Sequence, residues 1–111
     1  VNNIHVVVQR VDVENTDQLK ELGEAVRSGL KHRGIGLMAT VLDEKVQLVC
    51  VVTDDEVTNY PAGKLVGAVA RLLGGGGGGK AHMATAGGKD VEKLGEVLSE
   101  FPLIVQGWSV S

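Results

Sequence analysis

The hydrophobic pattern of this chain changes period several times, and each change predicts a new element. The first apolar segment, residues 4 to 13, is rich in valine, which predicts a strand. Apolar residues then recur at helical spacing from Leu19 to Leu30, with charged residues between them. Asn15 or Thr16 is placed to cap the first turn of this amphipathic helix, and the basic residues before Gly34 mark its end.

Two further apolar segments, residues 36 to 42 and 45 to 53, are separated only by Asp43 and Glu44. A two-residue connection of this kind predicts an antiparallel hairpin. The second segment is almost entirely apolar, which is typical of a central strand covered on both faces. Cys50, in the middle of that segment, is therefore predicted to be a small buried hydrophobic residue.

The second half of the chain predicts two more helices and one short strand. Pro61 opens a helix over residues 62 to 73, whose apolar side chains recur at helical spacing. Residues 82 to 86 are predicted to form a short strand. Asp90 is placed to cap a third helix, which starts at residue 91 and ends near residue 100.

The predicted order of elements is therefore β-α-β-β-α-β-α. Pro102 is expected to interrupt the third helix, and residues 103 to 110 fit a helix or a strand equally well. This order indicates a mixed α/β (α+β) fold, with helices packed on one small mixed sheet. Residues 1 to 111 are expected to form a single domain.

The amino-acid composition is ordinary except for its glycine content. Glycine accounts for 16 of the 111 residues, and six are consecutive, from residue 74 to residue 79. Without that run, the glycine content is near the average. The hydrophobic content of 43% and charged content of 23% are those of a globular protein. The one cysteine excludes an intrachain disulfide and a cysteine-rich zinc site.

The first residues of the chain indicate whether it is part of a longer protein and where that protein is located. It begins with valine rather than methionine, and its first residues lack the basic region of a signal peptide. No apolar stretch approaches the length of a membrane span. We therefore expect an excised or processed piece of a longer protein, with a cytoplasmic location and no membrane partner.

Charge is distributed unevenly. The net charge is −3, but residues 60 to 93 carry five basic and two acidic side chains, a net charge of +3. This basic segment surrounds the glycine run, and a local basic patch can bind a polyanion on an acidic protein. The acidic cluster at residues 54 to 56 offers carboxylates to a hard cation, but a solvated turn is the favoured interpretation.

The glycine run matches several glycine motifs by chance. It follows a predicted helix, whereas a dinucleotide-binding fingerprint follows a strand. Followed by Lys80, it satisfies most of a phosphate-binding loop, but Ala81 lacks the hydroxyl that such a loop uses to bind Mg²⁺. A passive flexible loop and an anion-binding nest of backbone N–H groups both remain open on chemistry alone.

The sequence from Gly74 to Asp90, GGGGGGKAHMATAGGKD, is far more specific than its glycines. It resembles the DHH-associated domain family, in the form found at the C-terminal end of alanyl-tRNA synthetase. That family shows a glycine cluster, then Arg/Lys-Pro-x-Met-Ala-Gln-Ala-Gly-Gly, then a helix. This chain departs from the pattern with Gly76, where lysine is frequent, with Lys80-Ala81 and with Thr85.

The resemblance implies a domain that binds tRNA at the outer corner of its L shape, through a glycine-rich loop. The implied partners are alanine-specific tRNA, the aminoacylation and editing domains of the same chain, and a second copy in a possible homodimer. The resemblance implies no catalysis and no cofactor in this part of the protein. The three aromatic residues are expected to lie in the core rather than to stack on bases. The predicted RNA-binding residues are Lys64, Arg71, Gly74, Gly75, Gly76, Gly77, Gly78, Gly79, Lys80, His82, Gly87, Gly88 and Lys89.

Two alternative functions remain at this point. A related domain ends DHH-type phosphoesterases, where the glycine cluster and a following histidine hold a phosphate. His82 lies three residues after Gly79 rather than directly after the glycines, which disfavours that alternative. The other alternative is a domain that chiefly dimerises its parent protein.

Overall fold

The structure, a computed structural model, describes residues 4 to 108. The predicted order of elements is confirmed, and the structure adds a short strand within the glycine run. The strands are β1 His5–Arg10, β2 Gly34–Leu42, β3 Lys45–Val52, β4 Gly76–Gly79 and β5 Met83–Gly88. The helices are α1 Thr16–Leu30, α2 Ala62–Leu72 and α3 Leu94–Gln106.

The five strands form one mixed sheet in the order β1-β2-β3-β5-β4. β1 runs parallel to β2, and every other pair is antiparallel. The parallel pair requires a crossover, which α1 supplies. The mixed α/β fold predicted from the sequence is therefore confirmed, and the glycine strand β4 occupies one edge of the sheet.

The first helix begins as its sequence predicts. The side chain of Asn15 accepts a hydrogen bond from the Gln18 N–H at 2.9 Å, and the side chain of Gln18 accepts one from the Glu14 N–H at 2.8 Å. The first bond satisfies a donor that a helix start leaves without a partner, and the second holds Gln18 against the residue before the N-cap. Gly23 faces the sheet, where a β-carbon would stand 3.2 Å from Val49, so α1 lies close against β3.

The hairpin between β2 and β3 is also confirmed. Asp43 and Glu44 have φ of 52° and 65°, the left-handed values of the two-residue turns that match strand twist. β3 is the central strand, and Cys50 within it is completely buried, as predicted. Burial among apolar side chains raises the pKa of this thiol far above its usual range.

Helices cover both faces of the sheet and form two apolar cores. α2 and α3 pack on one face, around side chains such as Leu37, Leu48 and Phe101. α1 packs on the other face, where Leu19 contacts Met38, Val49 and Val51. Among residues 4 to 108, no helix is long and apolar enough to cross a membrane.

The third helix differs from its prediction. A short 3₁₀ turn, Val91–Lys93, precedes it, and the Asp90 side chain makes no capping hydrogen bond. The helix also continues through Pro102 to Gln106. The predicted interruption was wrong, because Phe101 and Val105 are buried on either side of the proline and their packing holds this segment against the core. Residues 109 and 110 of the predicted tail lie outside the described residues.

Candidate nucleic-acid interface

Four of the six consecutive glycines form an extended strand rather than the predicted loop. Gly76–Gly79 pairs with β5 in antiparallel register, with Gly76 opposite Gly87 and Gly79 opposite Ala84. The expectation of a loop was wrong because β5 supplies a backbone partner that a local reading of glycine composition does not reveal. We call the paired strands β4 and β5, residues 76 to 88 with their connection, the glycine ribbon.

The first glycines of the run turn the chain from α2 into the ribbon. The Gly75 N–H donates to the Ala70 carbonyl at 2.9 Å, and the Gly74 N–H donates to the Arg71 carbonyl at 3.2 Å. Gly74 has φ of 75°, so these contacts form the Schellman motif that commonly ends a helix. Gly74 and Gly75 thus have a structural role in ending α2 and aligning β4.

Alternate glycines of the strand differ in what surrounds them. A β-carbon on Gly75 would lie 1.9 Å from the Gly87 carbonyl oxygen, and one on Gly77 would lie 2.5 Å from Ala86. Packing therefore requires glycine at both positions. At Gly76 and Gly78, a β-carbon would meet nothing within 4 Å. No packing within the described residues requires glycine at these two positions.

The two faces of the glycine ribbon explain this alternation. Ala84 and Ala86 of β5 point into the core beneath α2 and α3, so Gly77 and Gly79, opposite them, share the covered face. Gly78 lies opposite Thr85, on the other face of the sheet. We call this the open face: it presents backbone without side chains along β4 and at Gly87, and Thr85 of β5 borders it.

The predicted basic residues lie at two ends of the ribbon. Lys80 follows β4 directly, and the start of α2, which carries Lys64, is held at this end by an Ala62 N–H to Ala81 carbonyl bond of 2.8 Å. At the other end, Arg71 occupies the last turn of α2 and Lys89 follows β5. β4 itself spans roughly 10 Å between the two ends.

These four basic side chains are exposed, and within residues 4 to 108 none forms an ion pair with the protein. Their charges are therefore available to a polyanion at both ends of β4. His82 is partly buried beside Lys80, and its carbonyl accepts a hydrogen bond from the Val52 N–H at 2.9 Å. The structure thus gathers Lys80 and His82 and separates them from Arg71 and Lys89.

The two consecutive glycines that end β5 have different surroundings. Gly87 is partly buried, and the nearest atoms to its missing side chain belong to Val46 and Gln47. Gly88 is buried, and a β-carbon there would lie 2.6 Å from Leu73. Close packing against Leu73, the residue that follows α2, accounts for a glycine at this position, and the RNA-binding role of Gly88 stays a prediction.

An open groove of about 310 Å³ lies between α1 and the open face of the ribbon. Its floor includes Gly78 and Thr85, and Lys80 lies at one side. Lys20 and Glu24 of α1 form its other wall, and sequence reasoning missed both. They lie off the buried stripe of an amphipathic helix, and only the tertiary arrangement brings them beside the glycine strand.

The aromatic residues do not line this groove. Phe101 is completely buried and Tyr60 is 9% exposed, both within the core. Trp108 is partly buried and packs against that core. The prediction that these rings lie in the core is confirmed.

The acidic cluster forms a short 3₁₀ turn, Asp54–Glu56, and two of its carboxylates form an ion pair or hydrogen bonds with other residues. Asp54 pairs with Arg27. Asp55 accepts hydrogen bonds from the Thr53 hydroxyl at 2.6 Å and from the Arg33 N–H at 3.0 Å. The Thr53 bond is the main cause that lowers the pKa of Asp55. Within residues 4 to 108, no cluster of three potential metal ligands is present.

Known protein families and sequences resemble this chain over most of its length. Residues 3–107 match the DHHA1 domain family. The alanine–tRNA ligase of Salinibacter ruber is 41% identical over 110 residues, which cover 96% of this chain and 11% of that protein. The alanine–tRNA ligase of Geobacillus thermodenitrificans is 43% identical over 99 residues, covering 88% of this chain and 11% of that protein. The chain thus spans about a ninth of these relatives.

A solved structure has the same fold. The C-Ala domain of Aquifex aeolicus alanyl-tRNA synthetase superposes with a TM-score of 0.79 at 26% sequence identity, covering 94% of this chain and 91% of that domain. The resemblance seen in residues 74 to 90 is confirmed and extends over nearly all of the chain. This chain therefore belongs to the DHHA1 domain family, in which it is similar to the C-Ala domain of alanyl-tRNA synthetase.

Proposed function

We propose that this chain is the tRNA-binding C-terminal domain of an alanyl-tRNA synthetase, and that it contacts the outer corner of tRNA through the glycine ribbon. The similarity to alanine–tRNA ligases and to a C-Ala domain supports the parent enzyme. In this proposal the domain carries out no reaction itself. It holds one tRNA for the aminoacylation and editing domains of the parent chain in the cytoplasm.

The observation that carries the proposal is the open face at Gly76 and Gly78. Packing within the described residues requires glycine at Gly75 and Gly77 but at neither of these two positions, where a β-carbon would meet no atom within 4 Å. Bare backbone on this face lets a ligand approach the strand closely. Ribose, phosphate and the flat face of a base are ligands of that kind.

The basic side chains support a nucleic acid as that ligand. Lys80 lies at one end of β4 and Arg71 and Lys89 lie at the other, all exposed. Their separation along a strand of roughly 10 Å is suited to more than one phosphate of an RNA backbone. The partly open sheet face between them provides the surface on which the sugar and base can lie.

A steric test separates this proposal from a purely structural role for the run. Gly78→Val places a branched side chain on the open face, where strands favour it, so we expect the fold to be kept. Affinity for alanine-specific tRNA should fall at least tenfold in a filter-binding assay at 50 mM salt. Gly95→Ala, an equally open glycine on α3, is the matched control and should bind as the parent chain does.

The opposite result would overturn the proposal. If the Gly78→Val chain is folded by circular dichroism and binds tRNA as tightly as the parent chain, the open face is not the contact surface. If the parent chain shows no affinity for tRNA even at low salt, the tRNA-binding function itself is wrong.

A further inference from the structure

The groove between α1 and the glycine ribbon is lined by bare backbone, apolar side chains and charged side chains. Gly78 contributes backbone without a side chain to its floor, and Met83, a residue with a flexible side chain, also lines it. Its volume of about 310 Å³ lies at the lower end of the range for small-ligand sites, which suits one nucleoside rather than a longer segment.

The wall of the groove carries one cation and one anion. Lys20 and Glu24 are four residues apart on α1, so they project from the same side of the helix. Both side chains are exposed, and within residues 4 to 108 neither forms an ion pair or a side-chain hydrogen bond. A carboxylate repels phosphate, so this wall is not built for the RNA backbone alone.

A carboxylate beside an ammonium group matches the edge of one base better than the others. Guanine presents a carbonyl acceptor, O6, next to two adjacent donors, N1–H and the 2-amino group. A carboxylate can accept both donors at once, while a lysine donates to O6, and such charge-assisted hydrogen bonds are strong. Bases of unpaired RNA are read in this way, on their Watson–Crick edges.

We propose that this groove binds a single unpaired guanine of the RNA, with Glu24 accepting from its N1–H and 2-amino groups and Lys20 or Lys80 donating to O6. The inference rests on the proposed RNA-binding function and assigns α1 a part in it. The base lies over the backbone at Gly78, and Thr85 of β5 borders it.

The test uses eight-nucleotide RNAs that differ at one position within a uridine sequence: guanosine, inosine or adenosine. By fluorescence anisotropy at 50 mM salt, the parent chain should bind the guanosine probe about tenfold more tightly than the adenosine probe. Inosine lacks the 2-amino group, so its affinity should fall between the two.

The Glu24→Gln variant should reduce the preference for guanosine over adenosine to less than twofold, because the amide cannot accept both donors. Glu21→Gln removes the same charge from the same helix outside the groove, and it should leave the preference unchanged. Both positions are exposed, so both variants are expected to fold.

A parent chain that binds the three probes equally, or a Glu24→Gln chain that keeps the full preference, would overturn the guanine site. Either outcome leaves the proposed function intact if tRNA still binds and Gly78→Val still weakens it. If neither tRNA nor any probe binds, the proposed function fails, and this inference fails with it.

Discussion

Gly63 in the first turn of α2 lies directly against Gly79 at the end of the glycine strand: a β-carbon on Gly63 would stand 2.8 Å from the Gly79 carbonyl oxygen. The neighbouring atom belongs to backbone and cannot rotate away. Gly63→Ala is therefore expected to destabilise the domain by about 1–2 kcal/mol, since the steric cost exceeds the gain in helix propensity. Urea unfolding followed by circular dichroism would measure it.

Gly67, one turn further along α2, provides the control. A β-carbon there would lie 3.5 Å from the Gly77 carbonyl oxygen, an ordinary contact. Gly67→Ala should therefore leave stability unchanged or raise it by up to about 1 kcal/mol. Equal destabilisation by the two substitutions would show that close packing at Gly63 does not hold the ribbon.

The sequence predicts the elements that depend on local patterns, but it does not predict the strand formed by the glycines. The helix stripe from Leu19, the hairpin at Asp43 and the apolar strand around Cys50 are local patterns, and each appears in the structure as predicted. The strand at Gly76–Gly79 follows from no local pattern, because glycine has low strand propensity and forms one here only beside β5 and under α2.

In the candidate site, too, the residues marked by a local motif could be predicted, and those brought together only by the tertiary fold could not. Lys80 and the glycines could be predicted, because a specific sequence from Gly74 to Asp90 surrounds them. Lys20 and Glu24 could not, because an exposed charge on an amphipathic helix carries no mark of its distant neighbours. Their place beside Gly78 depends on sheet order, which sequence periodicity does not determine.

Lys80 and Arg71 are expected to contribute to RNA binding through charge. Each phosphate that a lysine or arginine neutralises adds roughly 0.7–0.9 to the slope of log affinity against log salt. Lys80→Ala should lower that slope by about one unit, and a double substitution with Arg71→Ala should lower it by about two. Titrations of tRNA between 50 and 200 mM salt would measure these slopes. Lys45→Ala, at the start of β3, is the control for loss of one charge, and an equal change there would argue against a local site.

Asp55 is expected to make stability depend on pH. Its hydrogen bond from Thr53, with further bonds and nearby charge, holds its pKa below the ordinary value of 3.8 in the folded protein. Stabilisation by the carboxylate is therefore present above that value and is lost as pH falls through the lower folded pKa. The melting temperature of Asp55→Asn should lie below that of the parent chain at pH 7. The difference should shrink below about pH 3.8, and a difference that stays constant down to pH 2 would contradict this origin.

Cys50 is expected to be unreactive until the protein unfolds. It is completely buried, and its raised pKa keeps it a thiol rather than the nucleophilic thiolate. A thiol reagent should label it at the rate of unfolding and should label it quickly in urea. Cys50→Ser should destabilise the domain by about 1–3 kcal/mol, because it buries a hydroxyl among apolar side chains. Cys50→Ala, which buries no polar group, should cost less.

Substitutions at Gly76 test whether charge on the open face favours RNA binding. A β-carbon there would meet no atom within 4 Å, so we expect a side chain at this position to leave the ribbon in place. Gly76→Lys adds a cation between the two basic ends of the site, and we expect it to bind tRNA roughly threefold to tenfold more tightly at 50 mM salt than Gly76→Gln, which places similar bulk on the open face. The salt slope should steepen by about one unit, because one more phosphate is neutralised. Gly76→Gln, of similar length but uncharged, separates charge from bulk: it should leave the slope unchanged. If the lysine variant folds and yet binds tRNA no more tightly than the glutamine variant, the RNA backbone does not pass over this face.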